Sequence, residues 1–216
     1  MQTNLADLVK DTREGKEADA ILRTCVHCGF CLATCPTYQL LDDELDSPRG
    51  RIYLMKEVLE GRVATQKTQL HLDRCLTCRA CETACPSGVR YGKLIDICRN
   101  VVEKQVERSV KTKIVRYTLR QILPNLNVFM VFLRIGQAVR SLLPKEIRGL
   151  IPSKSRNAGI WPPARHKRKM LVLDGCVQPS IAPNINTATA RILDKIGISL
   201  IKVEKENCCG AISYHL

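Results

Sequence analysis

Apolar residues recur at helical spacing through most of this chain, and strand-like alternation is scarce. Over residues 1–24, Leu5, Leu8, Val9, Ala20 and Ile21 fit two short helices, or one helix broken near Gly15. Ser47 is a good helix N-cap and Pro48 suits a first helical position. Ile52, Met55, Val58 and Leu59 then share one face, and Gly61 is placed to end that helix. A weaker helical pattern covers residues 66–72. Residues 92–143 read as largely helical, with a break at Pro124 and Asn125. Pro144, Pro152, Pro162 and Pro163, with Gly149 and Gly159, make residues 144–168 a linker. Only beyond that point does the pattern change. Residues 170–173 read as a buried strand, residues 184–195 as a helix closed by Gly197, and residues 199–203 as a second strand. Such a β-α-β unit should have parallel strands.

Cysteine usage gives this pattern a chemical purpose. Eight of the twelve cysteines fall in two runs of one spacing, C-x2-C-x2-C-x3-C-P. The first holds Cys25, Cys28, Cys31 and Cys35 before Pro36. The second holds Cys75, Cys78, Cys81 and Cys85 before Pro86. That is the spacing of bacterial iron–sulfur ferredoxins, in which the fourth cysteine ligates the other cluster. Three cysteines at steps of three let one tight loop aim three sulfurs at a point, and the proline turns the chain so that the fourth points elsewhere. The expected cofactors are two [4Fe–4S] clusters. Cys25, Cys28, Cys31 and Cys85 are assigned to one, and Cys75, Cys78, Cys81 and Cys35 to the other. His27 is expected to face solvent or hydrogen-bond rather than bind iron. Arg49, Arg51, Arg74 and Arg79 could offset cluster charge, or be ordinary surface charge. Cys98 fits a small buried hydrophobe.

The formal net charge of +13 is unevenly spread. Residues 1–98 are nearly neutral, whereas residues 99–170 hold 17 basic and three acidic residues. The boundaries drawn from pattern and charge are a helical two-cluster domain over 1–98, a basic amphipathic segment over 99–143, the linker over 144–168, and a cysteine-bearing domain over 169–216. The fold class is therefore mainly α, ending in an incomplete α/β unit. The longest uncharged run of the basic segment, residues 121–133, has 13 residues, too few to span a bilayer. Basic charge beside apolar groups suits an anionic partner such as acidic lipid. Nucleic acid is not expected, because aromatic residues are only 4% of the chain and no DNA-binding spacing accompanies the charge. With no secretory leader, the compartment is expected to be reducing, so metal ligation is a better use of the cysteines than disulfides.

In the second domain, Cys176 follows the first strand, and Cys208 and Cys209 follow the second. The carboxyl ends of parallel strands share a sheet edge, where ligands bind. These three thiols form a possible additional metal or redox site, or are reduced loop cysteines.

The double cysteine run, followed by Cys176 and Cys208-Cys209-Gly210, resembles the iron–sulfur subunit family of bacterial glycolate oxidase (glycolate dehydrogenase). The stretches Asp46-Ser47-Pro48-Arg49-Gly50-Arg51 and Cys75-Leu76-Thr77-Cys78-Arg79-Ala80-Cys81 look especially like that family. The resemblance extends more loosely to iron–sulfur subunits of anaerobic glycerol-3-phosphate dehydrogenase, lactate-utilisation proteins and heterodisulfide reductase. It implies a non-catalytic electron-transfer subunit. An FAD-bearing partner would oxidise a 2-hydroxy acid, and electrons would pass toward a quinone or another acceptor. The implied location is the cytoplasm, or peripherally the cytoplasmic face of the inner membrane. Members usually carry two Cys-Cys-Gly halves, so this shorter chain is expected to be C-terminally truncated. The competing readings are a zinc-binding interaction protein and an independent disulfide reductase using Cys208 and Cys209.

Overall fold

A computed structural model describes residues 1–155, 157–203 and 208–215. Two compact units divide it, Met1–Arg108 and Ser109–Leu216. The chain is mainly helical, as its periodicity predicts, with two strands among the described residues.

The first unit is built from α1 (Asp7–Lys10), α2 (Arg13–Thr24), α3 (Pro36–Leu41), α4 (Pro48–Leu59), α5 (Gln66–Asp73), α6 (Ala80–Thr83) and α7 (Tyr91–Gln105). Local chemistry sets their ends. Thr12 caps α2 by accepting from the Gly15 N–H (2.9 Å), so the break near the N-terminus lies at residues 11–12 and Gly15 belongs to α2. Ser47 caps α4 by accepting from the Gly50 N–H (2.9 Å), with Pro48 at the first turn. Thr65 and Thr68 form a reciprocal cap on α5. Leu22, Met55, Leu59, Leu72, Leu94 and Cys98 are buried in one core that joins α2, α4, α5 and α7. Cys98 is thus the small buried residue expected. Helix α7 runs through residue 98, so the charge-based boundary there cuts a continuous helix. The unit instead ends at Arg108, which pairs with Asp73 (2.5 Å) and Glu103 (2.6 Å).

The second unit contains α8 (Val110–Ile122), α9 (Leu126–Val139), α10 (Lys145–Leu150), β1 (Arg168–Val172), α11 (Gln178–Ile181), α12 (Asn184–Lys195), β2 (Ile198–Lys202) and α13 (Ala211–His215). Asn125 accepts from the Val128 N–H (3.3 Å) and starts α9 after the expected break. Among the described residues no single helix is long and apolar enough to cross a membrane, although α8 with the segment 126–142 passes by length and composition as a pair bent by 108°. Helix α10 occupies part of the expected linker, because Pro144 ends one segment and opens another. The strands pair in parallel, Arg168 opposite Ile198 and Val172 opposite Lys202, as the β-α-β pattern requires. One expectation fails here. The first strand is not buried, and Leu171 is 74% exposed. With only two strands both are edges, and β2 takes the covered position, with Ile198, Ser199 and Leu200 buried.

Candidate metal centres

The two cysteine loops share a backbone design at matching positions fifty residues apart. His27 (φ 55°) and Gly29 (φ 86°) are left-handed in the first, and Thr77 (φ 51°) and Arg79 (φ 61°) in the second. Left-handed residues turn the chain tightly, so that cysteines three apart face one point. Glycine accepts that conformation freely at residue 29. Arg79 adopts it while its guanidinium pairs with Glu82 (2.7 Å). Each run ends in a tight turn before its proline, and Pro36 opens α3 where only a turn was expected.

Two cavities result. One is lined by Cys25, Cys28, Cys31 and Cys85, with Val26, Phe30, Ile52 and Val89 among its walls. The other is lined by Cys35, Cys75 and Cys78, with Thr37, Arg51 and Tyr91. Cys81 lines both. Each cavity therefore receives three cysteines of one run and the proline-linked cysteine of the other.

The electrostatics follow this grouping except that Cys31 also acts on Cys81. Burial pushes the Cys31 thiol up to about 11, and the neighbouring Cys25, Cys28 and Cys85 push in the same direction. Burial, then Cys75, Cys31, Cys78 and Cys35, push Cys81 up to about 12. Burial also raises Cys25, followed by Cys85 and Cys28. Crowded in a low-dielectric pocket, the Cys25, Cys31 and Cys81 thiols resist becoming thiolates, and a cationic metal core would relieve that repulsion. The donor set fits such a group. The spacing fits a cluster better than one ion. Sulfurs around a single tetrahedral zinc lie about 3.8 Å apart, from Zn–S bonds of about 2.3 Å. Among the described residues, the one group of three or more such donors within 4.8 Å of one another is Asp43, Asp46 and His71.

That group belongs to a buried network beside the second cavity. Arg51 is 1% exposed in its side chain and Asp46 is 0%, and they pair at 3.1 Å. Arg51 Nε donates to the His71 carbonyl (2.7 Å), and its Nη1 donates to Thr37 Oγ1 (3.0 Å) and lies 4.0 Å from Cys35 Sγ. Arg74 holds the other Asp46 oxygen (2.7 Å), and His71 Nδ1 is 3.1 Å from Asp46. Burial alone would raise the Asp46 pKa, but the contacts from His71 and Arg74 outweigh it and hold the carboxyl below its usual range. With two arginines on Asp46, the trio needs no added cation.

Of the four arginines singled out by sequence, Arg51 is therefore a buried neighbour of a cysteine and Arg74 braces its partner. Arg49 pairs with Glu44 (2.8 Å) and Arg79 with Glu82. His27 stacks on Tyr53 (4.4 Å between ring centroids), and its Nε2 lies 2.8 Å from Met1 Sδ. Tyr91 was not anticipated. It is 4% exposed and its hydroxyl lies 3.8 Å from Cys75 Sγ. No local pattern marks it, because its role depends on α7 packing against the second loop.

In the second unit Cys176 is half-buried. Burial first, then the nearby Cys208 through charge and a thiol hydrogen bond, and also Cys209, raise its pKa. The Gly210 N–H donates to Cys208 Sγ (3.4 Å), and Cys209 is exposed. The fold thus draws Cys176 and Cys208 together, without a compact three-thiol group.

Residues 21–89 match the 4Fe–4S dicluster domain family and residues 170–216 the cysteine-rich domain family. The whole chain aligns at 55% identity with 53% of the glycolate oxidase iron–sulfur subunit of Escherichia coli K12. The chain is similar along its whole length to glycolate oxidase iron–sulfur subunits. A probable glycolate oxidase iron–sulfur subunit of Bacillus subtilis is 31% identical over 90% of this chain and 50% of its own length. One component of the dihydromethanophenazine:CoB–CoM heterodisulfide reductase of Methanosarcina acetivorans is 27% identical over 88% of this chain and 46% of its own length. The chain spans about half the length of these curated relatives. No solved structure matches it. The dicluster-domain match and this similarity support iron–sulfur clusters and an electron-transfer role.

Proposed function

We propose that the chain is the electron-transfer part of a glycolate-oxidising complex. An FAD-bearing partner oxidises glycolate to glyoxylate, and this chain conveys the electrons one at a time toward a quinone or another acceptor. Cys25, Cys28, Cys31 and Cys85 hold one [4Fe–4S] cluster; Cys75, Cys78, Cys81 and Cys35 hold the other. Each cluster, when bound, supplies one-electron redox chemistry. The chain's own residues fix the sulfurs, exclude water from them and set the surrounding charge. The observation that carries the reading is the exchange of proline-linked cysteines between two cavities in one core. The exchange also keeps the two centres close, which electron transfer needs. The layout that goes with this reading keeps the clusters in the unit ending at Arg108, followed by a basic segment to residue 143, a connection over 144–168 and the cysteine-rich part over 169–216. Cys176, Cys208 and Cys209 remain a separate candidate thiol site that the relay does not use.

The basic α8–α9 segment supports peripheral contact with an anionic membrane face, where a quinone acceptor would be found. The heterodisulfide reductase relative supports a second reading, in which a different donor or acceptor serves the same two centres.

The experiment is anaerobic purification with metal and sulfide analysis, followed by reconstitution with FAD-bearing proteins. About eight iron and eight sulfide per chain, and glycolate-dependent dye reduction only with the partner present, are expected. A colourless protein with stoichiometric zinc and no sulfide sinks the reading.

A further inference from the structure

The two cavities differ in what faces their sulfurs. Around the second, the buried Tyr91 hydroxyl lies 3.8 Å from Cys75 Sγ, and Tyr91 is 4% exposed. Thr37 Oγ1 is 3.2 Å from Cys35 Sγ, and Arg51 Nη1 is 4.0 Å from the same sulfur. Thr37 has a single proton, which the Asp46 carbonyl (2.9 Å) also attracts, so Tyr91 and Arg51 are the firmer donors. Arg51 and Arg74 share one carboxylate, Asp46, which leaves positive charge beside Cys35.

The first cavity has a different character. Val26, Phe30, Ile52 and Val89 line it. Among the described residues, no side chain donates a hydrogen bond to the sulfur of Cys25, Cys28, Cys31 or Cys85. The His27 backbone N–H favours the Cys25 thiolate there. Arg49 lines this cavity and its charge reaches Cys31, but its strongest partner is Glu44 (2.8 Å), which offsets it. The Met1 amine bonds the Cys25 carbonyl (3.2 Å), and in this partly solvated place its charge is the weakest of the influences on the Cys25 sulfur.

Adding an electron makes a thiolate-ligated iron–sulfur centre more negative. Hydrogen bonds to its sulfurs and nearby cations favour the reduced form, and an apolar wall does not. We infer that the centre held by Cys75, Cys78, Cys81 and Cys35 is the higher-potential member of the pair, and that Tyr91 and Arg51 are the positioning residues that make it so. Electrons delivered at the Cys25 loop therefore run downhill to the Cys75 loop, and the first electron taken up rests there. The inference rests on the two-cluster reading above.

The test is an anaerobic redox titration of the whole iron-loaded chain, followed by EPR and visible absorbance. Two separated reductions are expected. Cys78→Ser should perturb or abolish the first, and Cys28→Ser the second. Tyr91→Phe removes one hydroxyl and keeps the ring, so iron and sulfide should be retained. It should lower the reduced-to-oxidised ratio of the first centre about tenfold at a fixed potential, or about 59 mV for one electron. The second reduction should stay in place. A Tyr91→Phe shift in the second reduction, an equal shift in both, or no shift overturns the inference. So does a first reduction that responds to Cys28→Ser, and that assignment decides the matter even if Tyr91→Phe fails to assemble. A chain that binds fewer than about eight iron fails earlier, at the two-cluster reading itself.

Discussion

Arg51 and Asp46 form an ion pair at 3.1 Å with both side chains sealed from solvent, at 1% and 0% exposure. The pair links the start of α4 to the end of α5 through the His71 carbonyl and to Cys35 through Thr37. Removing one member of a buried pair strands the other charge, which costs about 3–5 kcal/mol. Asp46→Asn should destabilise the iron-loaded chain by about that amount, read as a lower midpoint in chemical unfolding. Arg51→Met alone should also destabilise. Combined with Asp46→Asn it should cost less than the two single changes added together. A strictly additive double variant would mean that the contact is not energetically coupled.

The same carboxylate gives a pH dependence with a definite sign. His71 and Arg74 hold the folded Asp46 pKa below its ordinary value of 3.8. The unfolded chain therefore binds that proton first as pH falls. The stabilisation from ionised Asp46 is fully present above about pH 5 and is lost as pH drops below 3.8 toward the folded pKa. In unfolding measurements on metal-free protein, the stability difference between unmodified chain and Asp46→Asn should narrow below pH 4. A difference that widens on acidification would contradict the depressed pKa.

Much of this was readable in the chain, for identifiable reasons. Cysteine spacing and prolines are local signals, and they gave both loops. Ser47-Pro48 is a helix start with its own chemistry, so α4 was placed well. The motif Asp46-Ser47-Pro48-Arg49-Gly50-Arg51 stood out, but its meaning needed the fold. It supplies in turn a buried acceptor, a cap, a helix start, a Glu44 partner, a close approach and a buried cation. Tyr91 and His71 gave no signal, since their neighbours lie on other elements. The strand at residues 168–172 was misread as buried because apolar composition cannot tell an edge from a covered position.

Cys35→Ser distinguishes exchanged ligands from two self-contained loops. Cys35 lines the cavity of Cys75 and Cys78 and not that of Cys25 and Cys28. The variant should lose or alter about four of about eight iron, and the affected signal should be the one that Cys78→Ser also perturbs. Loss confined to the signal that Cys28→Ser perturbs would show that each run serves its own centre.

Gly50 separates close packing from backbone strain. A Cβ at Gly50 would overlap the Glu44 carbonyl oxygen, although its backbone is ordinary helix. Gly88 has open space around it but a φ of +64°. Gly88→Ala should cost about 1–2 kcal/mol, the usual cost of a left-handed residue with a side chain. Gly50→Ala must move α4 away from the turn before it, which disturbs Arg51 and Asp46 together, so its unfolding midpoint should fall further. Equal losses would argue that the approach of α4 to Glu44 is loose.

The proposed membrane contact rests on α8 and α9, whose exposed faces mix charge with apolar groups. Lys111, Lys113 and Arg120 are exposed on α8 beside Val110, Ile114 and Val115, while Val131, Phe132 and Ile135 are exposed on α9. Basic residues near an anionic surface contribute about 1 kcal/mol each, and screening by salt weakens them. Changing Lys111, Lys113 and Arg120 together to Gln should weaken co-sedimentation with phosphatidylglycerol-containing vesicles by about a hundredfold at low salt. Binding of the unmodified chain should decline as salt is raised, and neutral vesicles should retain little of either protein. The iron content should be unchanged, because these residues lie outside the unit that holds the eight cysteines. Binding that ignores salt, headgroup charge and the triple substitution alike would remove α8 as the contact.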